Sequence, residues 1–475
     1  MFSKDQAGIA RMPRPSRMIA GLCVFILLLV CTCAYTIADG ETVPEEQQRV
    51  SDDTSGDKAE ETDQMGQQTF RLGEAIYPEG FSKPFSDEQV SIEQWWDAIE
   101  AKEQAVIPHS ERIRRFAWET AAIIMADNEH VNPLYSPVNL WLCAGLMAHM
   151  TSGEAHEQLL NMLGAESDEE LDEQLFMAFL SMYRYDSDAA CVPGASLWLN
   201  EDVDVAPSSV DAFTQRDHAS VFRGNMRDSK YNAALRAWLS EQTRGMLDSA
   251  VSELQFREDA SISVSTTLYY KAAWADEFDE ERTFPGIFHG TEDAETNFMH
   301  KDTHGYVYAG SRFTAIAENL MDGSRAVFLL PDEGTAPEEL LEDEEALSFL
   351  EAPDEWEQSR FVFIHLSMPE IDKTDAVRLD DMMKEMGVTG VFDAEKKAFD
   401  GVFSADHPLS FSNLQQFVRF KTDERGIEAA AVTIADVAGA MLIGDEIDFN
   451  LDRPFLYVLE TDRGLPLFMG IYHMP

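Results

Sequence analysis

From Ser110 to the C-terminus the apolar positions keep two different periods, one after the other. The first is helical. "RIRRFAWETAAIIMA" puts Ile113, Phe116, Ala117, Ala121 and Ile124 on one face. "VNLWLCAGLMAHMTS" follows a Ser136-Pro137 start and is apolar around its circumference, which predicts a buried helix. "YNAALRAWLSEQTRGML" is amphipathic. Later the runs become strand-like: "SISVSTTLYYKAAW", "RAVFLLP", "RFVFIHLSMP", "FVRFKT", "RPFLYVLE" and "LPLFMGIY". Helices early and strands late predict an α+β class with a large, mostly antiparallel central sheet and helices packed on it. No repeat of 20–50 residues interrupts the pattern.

One stretch fits neither period. "DERGIEAAAVTIADVAGAMLIGDE", Asp423 to Glu446, opens with charges and continues through small and apolar residues broken only by Thr433 and Asp436. Its glycines break any helix, and it is too short and too interrupted to span a bilayer. It reads as a long, flexible, small-residue segment just ahead of the last core strands.

The first part of the chain is organised differently. Arg11, Arg14 and Arg17 precede the apolar run Met18–Ile37, the pattern of a secretory signal with a cleavage site at Thr36-Ile37-Ala38, or of an uncleaved anchor of about 20 residues. Either reading of residues 1–38 places the remainder outside the cytoplasm, secreted or held on the outer face of the membrane. Residues 39–68 are acidic and nearly devoid of large apolar side chains, as in a disordered linker. Residues 69–109 carry Tyr77, Phe81, Phe85, Trp95 and Trp96, so this extension is expected to fold back in part onto the main domain, residues 110–475.

Composition narrows the chemistry. With 36 Lys+Arg against 87 Asp+Glu, the formal charge is −51, a field that repels nucleic acid and anionic lipid. Of five cysteines only Cys143 and Cys191 lie in the globular part, as two buried thiols or a single bridge, and not as a disulfide framework or a Cys-x-x-Cys metal pair. His156-Glu157 lacks the second histidine of a zinc protease, because Leu160 stands there. Gly-x-Ser-x-Gly, a P-loop and a dinucleotide fingerprint are all absent. "LLEDEEAL" lacks the alternating ligands of a calcium loop and reads as a solvated helix face. No metal, cofactor or enzymatic activity is expected.

Three stretches together carry a family resemblance. "NPLYSPVNLWLCAGLMAHMTSGEAHEQLLNML" (Asn132–Leu163) resembles the serpin family's second helix with its Asn-x-x-x-Ser-Pro opening. "TTLYYKAAWADEF" (Thr266–Phe278) is similar to that family's central strand, with Lys271 and Trp274 in place. Arg425–Pro475, ending "DRPFLYVLETDRGLPLFMGIYHMP", resembles its hinge, reactive loop and C-terminal strands. The resemblance covers about 110–475 and implies a serpin-like fold with an exposed reactive-centre loop at about 424–448. It implies a suicide-substrate inhibitor of serine proteases, or a non-inhibitory binding or storage relative, expected as a monomer. The loop is bait: once cleaved it joins the main sheet and traps the acyl-enzyme, a mechanism for which this family is the standard case.

The resemblance assigns residues. The hinge is Glu424, Gly426, Ile427, Glu428, Ala429, Ala430 and Ala431; its small side chains slip between strands without overpacking. Ile427 stands where the family prefers Thr or Ser, and its bulk is expected to slow the first step of insertion. The sheet-opening cluster maps to Ser136, Asn139, Thr266 and Gln416, with Trp274 added to it. Only Ser136 matches the family's own residue, but the replacements all form hydrogen bonds. The reactive bond, fourteen residues past Gly426, is Ala440-Met441. A small residue there suits elastase-like or subtilisin-like enzymes, and a slip of one or two positions would favour chymotrypsin-like ones. No Lys or Arg lies between Ile427 and Arg453 to satisfy a trypsin-like pocket.

Overall fold

The computed structural model describes residues 70–77, 111–126, 131–185, 189–353, 356–411, 414–428 and 445–475, all within the unit Asp57–Pro475. The apolar run Met18–Ile37 and the aromatics Phe81, Phe85, Trp95 and Trp96 lie outside them. Among the described residues no helix is long and apolar enough to cross a membrane.

Two large sheets dominate. The main one runs, in order, Arg71–Gly73, Ala219–Gly224, Ala190–Asn200, Ile262–Ala273, Gly426–Ile427, Gln415–Asp423 and Asp372–Arg378. The second includes Glu446–Asn450, Ser359–Pro369, Asp293–Ala309, Phe313–Asn319, Arg325–Pro331, Phe455–Glu460 and Pro466–Tyr472. Nearly all pairs are antiparallel; Ala190–Asn200 with Ala219–Gly224 and Ser359–Pro369 with Glu446–Asn450 are parallel.

The helices form where the periodicity puts them. One covers 111–125 and buries Ile113, Phe116, Ala117, Ala121 and Ile124. The next, Pro137–His149, is capped by Ser136, with Pro at its start where a missing N–H costs nothing, and is buried on every side against Pro466–Tyr472 and Ile262–Ala273. Ser229–Gln242 crosses the main sheet's outer face; Tyr231, Leu235, Trp238 and Leu239 pack on Trp198, Phe222 and Phe256 in a core of their own. "LLEDEEAL" enters the helix Glu344–Glu351, solvated on one side and anchored by Ala346, Phe349 and Leu350. Cys143 and Cys191 are both buried and free, and burial pushes the Cys143 thiol up to about 12.

Two long strands escape the periodicity, so the division into early helices and late strands is too simple. Ala190–Asn200 contains Pro193 and Gly194, which argue against a strand on propensity. The fold tolerates them because the pairing with Arg184–Tyr185 ends at Cys191 and that with Ala219–Gly224 begins at Ala195. Asp293–Ala309 is hidden by an exposed face of acids and histidines.

Part of the extension does fold back. Arg71–Gly73 adds an edge strand to Ala219–Gly224. Beyond it, Ile76 N–H donates to Thr214 O at 2.9 Å, and Tyr77 stacks on Tyr183 with ring centroids 5.5 Å apart.

Candidate functional site

Asp423, Glu424 and Arg425 turn the chain back on itself. The Asp423 carboxylate accepts from Arg425 N–H at 3.0 Å and Gly426 N–H at 3.2 Å, so its side chain closes the turn that its backbone begins. The turn is fixed to the end of the central strand by Trp274 N–H donating to Arg425 O at 2.9 Å and Phe278 N–H donating to Glu424 O at 2.8 Å. The Trp274 indole N–H adds a bond to Asp423 O at 2.9 Å.

The turn delivers Gly426 and Ile427 into the main sheet. They pair with Asp423 and Thr422 on one side and with Ala273 and Ala272 on the other. Gly426 has φ +155°, and a Cβ there would stand 2.7 Å from Ala273 Cα and nearer still to Ala272 O, so only glycine fits. Ile427 is 2 % exposed, and its flanks Ala272 and Thr422 are small enough to admit a branched side chain. Its bulk, expected to slow the first step of insertion, is already accommodated. Below Ile427 the central strand and Gln415–Asp423 are separated in the sheet order by the two hinge residues alone. A cleft opens there beneath the crossing helix, lined by Leu235, Leu239, Ser265, Thr266, Gln415 and Phe417.

Glu428 follows the two hinge residues. It takes φ +47°, and its N–H donates to Lys421 O at 3.2 Å. Burial raises its carboxyl to about 7, against the pull of Arg419, Lys271 and Lys421. One of its oxygens is buried without a hydrogen-bond partner. Ala429, Ala430, Ala431, Ala440 and Met441 lie outside the described residues.

At the lower end of the gap, Gln416 and Ser136 are joined twice. Ser136 N–H donates to Gln416 Oε1 at 2.8 Å, and Gln416 Nε2 donates to Ser136 O at 3.0 Å. Ser136 Oγ donates to Leu467 O at 2.6 Å. Asn139 and Thr266 face one small cavity, in which Asn139 Nδ2 has no partner. Ser136 and Gln416 thus meet at the start of the buried helix, and Asn139 and Thr266 line one cavity beside it. Trp274 does not belong with them. It lies eight positions beyond Thr266 on an extended strand, roughly 26 Å away at about 3.3 Å per residue, and serves the hinge turn instead.

A buried ion pair escapes the sequence reading. Lys301 Nζ meets Glu318 Oε2 at 2.6 Å and donates to Asp276 O at 2.7 Å, over the Phe278 ring. Burial raises the Glu318 carboxyl and Lys301 opposes this. The pair braces the 274–278 segment that holds the hinge turn. No sequence signal marks it, because Lys301 and Glu318 lie on different strands.

The profile of one family, described as Serpin (serine protease inhibitor), matches residues 111–475. The chain belongs to the serpin family. It is 24% identical over 368 residues to an alpha-1-antiproteinase of Callosciurus caniceps, covering 75% of this chain and 87% of that protein. It is 23% identical to Serpin-ZX of Arabidopsis thaliana, over 73% and 93% of the two chains. Among solved structures, the thermophilic serpin tengpin in its native state superposes with a TM-score of 0.70 at 18% identity, over 83% of this chain and 97% of that one. Human thyroxine-binding globulin in complex with thyroxine gives 0.68 at 17% identity, over 78% and 99%. The serpin fold is thus shared, and the edge strand Arg71–Gly73 lies ahead of the part the family profile matches.

Proposed function

We propose that this serpin is a suicide-substrate inhibitor of serine proteases. The observation that carries the reading is the hinge: Gly426 and Ile427 are paired on both sides inside the main sheet, so the register for the residues that follow is already set. Continued by the same pairing, position 428 falls opposite Lys271 and Lys421, and the small side chains of Ala429 and Ala431 alternate onto the inner face with Ile427. The protease serine attacks the carbonyl of Ala440; the Ala440–Met441 bond breaks, the new amine leaves with the proton, and an ester joins loop and enzyme. The freed segment then fills the gap above Gln416 and Thr266. Its backbone groups gain ladder partners that a solvated loop lacks, which makes the inserted state the more stable one.

The bait favours elastase-like or subtilisin-like enzymes if Ala440 precedes the cut, and chymotrypsin-like ones if Met441 or Leu442 does. We place the inhibitor outside the cytoplasm, released or tethered through Met18–Ile37. A structural neighbour that carries thyroxine keeps a second role in view, that of a binding protein whose loop does not insert.

Incubation with an elastase, a subtilisin and a chymotrypsin, followed by denaturing electrophoresis, tests the function. A covalent complex with at least one of them is expected. Cleaved inhibitor and free enzyme in every case would favour the binding protein. Mass spectrometry of the released peptide locates the bond: a new N-terminus at Met441 supports Ala440.

A further inference from the structure

The strand that follows the loop, Glu446–Asn450, lies parallel to Ser359–Pro369, with Phe363 opposite Glu446. Phe363 N–H donates to Asp445 O at 3.0 Å, where the loop's second end joins the sheet. Ser359–Pro369 in turn pairs with Asp293–Ala309, setting Phe361 opposite Tyr306 and Phe363 opposite His304. Strand alternation turns these four rings to one face, away from the core that holds Val362, Ile364 and Val307. They touch one another. Tyr306 meets Phe361 edge-on at 5.3 Å, His304 meets Phe363 at 4.8 Å, and His304 lies over Phe361 at 6.1 Å. Tyr306 is 53% and Phe361 51% exposed.

Farther along this face Phe284, equally exposed, stacks on His300 at 4.0 Å. Asp302, beside the rings, is occupied by His365 and Arg282, and the exposed Glu446 and Asp448 border the rings on the strand that follows the loop. An aromatic surface of this kind is unusual on a chain of net charge −51. Packing does not require it, because the opposite face of both strands supplies the core. Contiguous exposed apolar surface of this sort marks a contact site, and aromatic rings commonly carry the energy of such contacts.

We propose that the face formed by Tyr306, Phe361, Phe363 and His304 is a second docking surface for the protease that takes the loop; the proposal rests on the inhibitory reading. Position selects this occupant. The two strands bearing the rings stand about 5 and about 10 Å from the strand that ends the loop, at one and two strand spacings. A protease domain has a radius of roughly 20 Å, so an enzyme bound to bait that ends at Asp445 overhangs them.

The test is the second-order rate constant for the enzyme that wild-type protein inhibits fastest among an elastase, a subtilisin and a chymotrypsin. The double substitution Tyr306→Ser, Phe361→Ser is expected to lower it about tenfold or more. The melting temperature and the number of inhibitor molecules consumed per enzyme should stay unchanged, since neither ring is buried and the loop is intact. Should the double variant melt lower, Tyr306→Thr alone is judged by the same rate. An unchanged rate constant in a folded variant overturns the docking surface and leaves the inhibitory reading standing. Absence of covalent complex from the wild-type protein with every enzyme overturns both.

Discussion

The loop's two ends are built for opposite behaviour. The first, Gly426–Ile427, lies between two strands, buried and flanked by Ala272, Ala273 and Thr422. The second, Glu446–Asn450, is an edge strand paired on one side only among the described residues, with Phe449 buried and Glu446, Asp448 and Asn450 exposed. On the proposed reading, small neighbours and the pairing of Gly426 and Ile427 let the first end lengthen into the sheet. A five-residue ladder holds the second end in a different sheet. On the same reading, a cut between them separates a part that moves from a part that stays.

The largest test of this contrast is the cut itself. Nicking the loop is expected to raise the melting temperature by about 10 °C or more, since a new strand adds paired backbone and buried side chains to the main sheet. Equal melting before and after would mean that the first end does not lengthen, and the two ends would then be equivalent.

A matched pair of substitutions comes next. Ile427→Arg places an unpaired charge in the sheet and is expected to destabilise the docked hinge by about 3–5 kcal/mol, converting inhibitor into plain substrate on denaturing gels. Glu446→Arg, on the exposed edge, should alter stability by about 0.5 kcal/mol at most and leave the covalent complex in place. Equal behaviour of the two variants would erase the distinction.

Gln416→Leu probes the lower end of the gap. It removes both bonds to the Ser136 backbone and leaves Ser136 N–H buried without its acceptor, for an expected loss of about 2 kcal/mol in denaturant unfolding. An unchanged midpoint would mean that the sheet is not fastened to the buried helix through these residues.

The smallest effect concerns pH. Burial raises the Glu428 carboxyl from 4.5 to about 7 in the folded protein. The folded state thus favours the protonated form, and stability is lost as pH rises from about 4.5 to about 7. Glu428→Gln cannot ionise. It should melt like the wild type at pH 4.5 and somewhat higher at pH 7.5. A gap of equal size at both values would show that ionisation of Glu428 is not the cause.

Much of this was legible in the chain. The apolar pattern over 112–126, 138–152 and 231–247 marked three helices that form with shifted ends, and it marked several of the strands from Ile262 onward, though not Asp293–Ala309. The family resemblance placed a hinge at Gly426 and Ile427, which do lie in the main sheet, and the Ser136-Pro137 start marked the buried helix. Ala190–Asn200 was not legible, because Pro193 and Gly194 oppose a strand wherever no partner's register excuses them. The place of Trp274 was not legible either, because nothing in its spacing from Thr266 says which end of the strand its side chain serves.

What the sequence determined by itself is local or periodic: the faces of helices, the alternation of strands, and the family to which those patterns belong. What tertiary structure decided is every contact between residues far apart in the chain. Ile427 lies between Ala272 and Thr422, Gln416 reaches Ser136, Lys301 neutralises Glu318, and Tyr306 meets Phe361 beside the loop's second end. Each depends on strand order and register, which arise when distant segments bury their apolar faces together, and neither is written in the spacing of residues along any one of them.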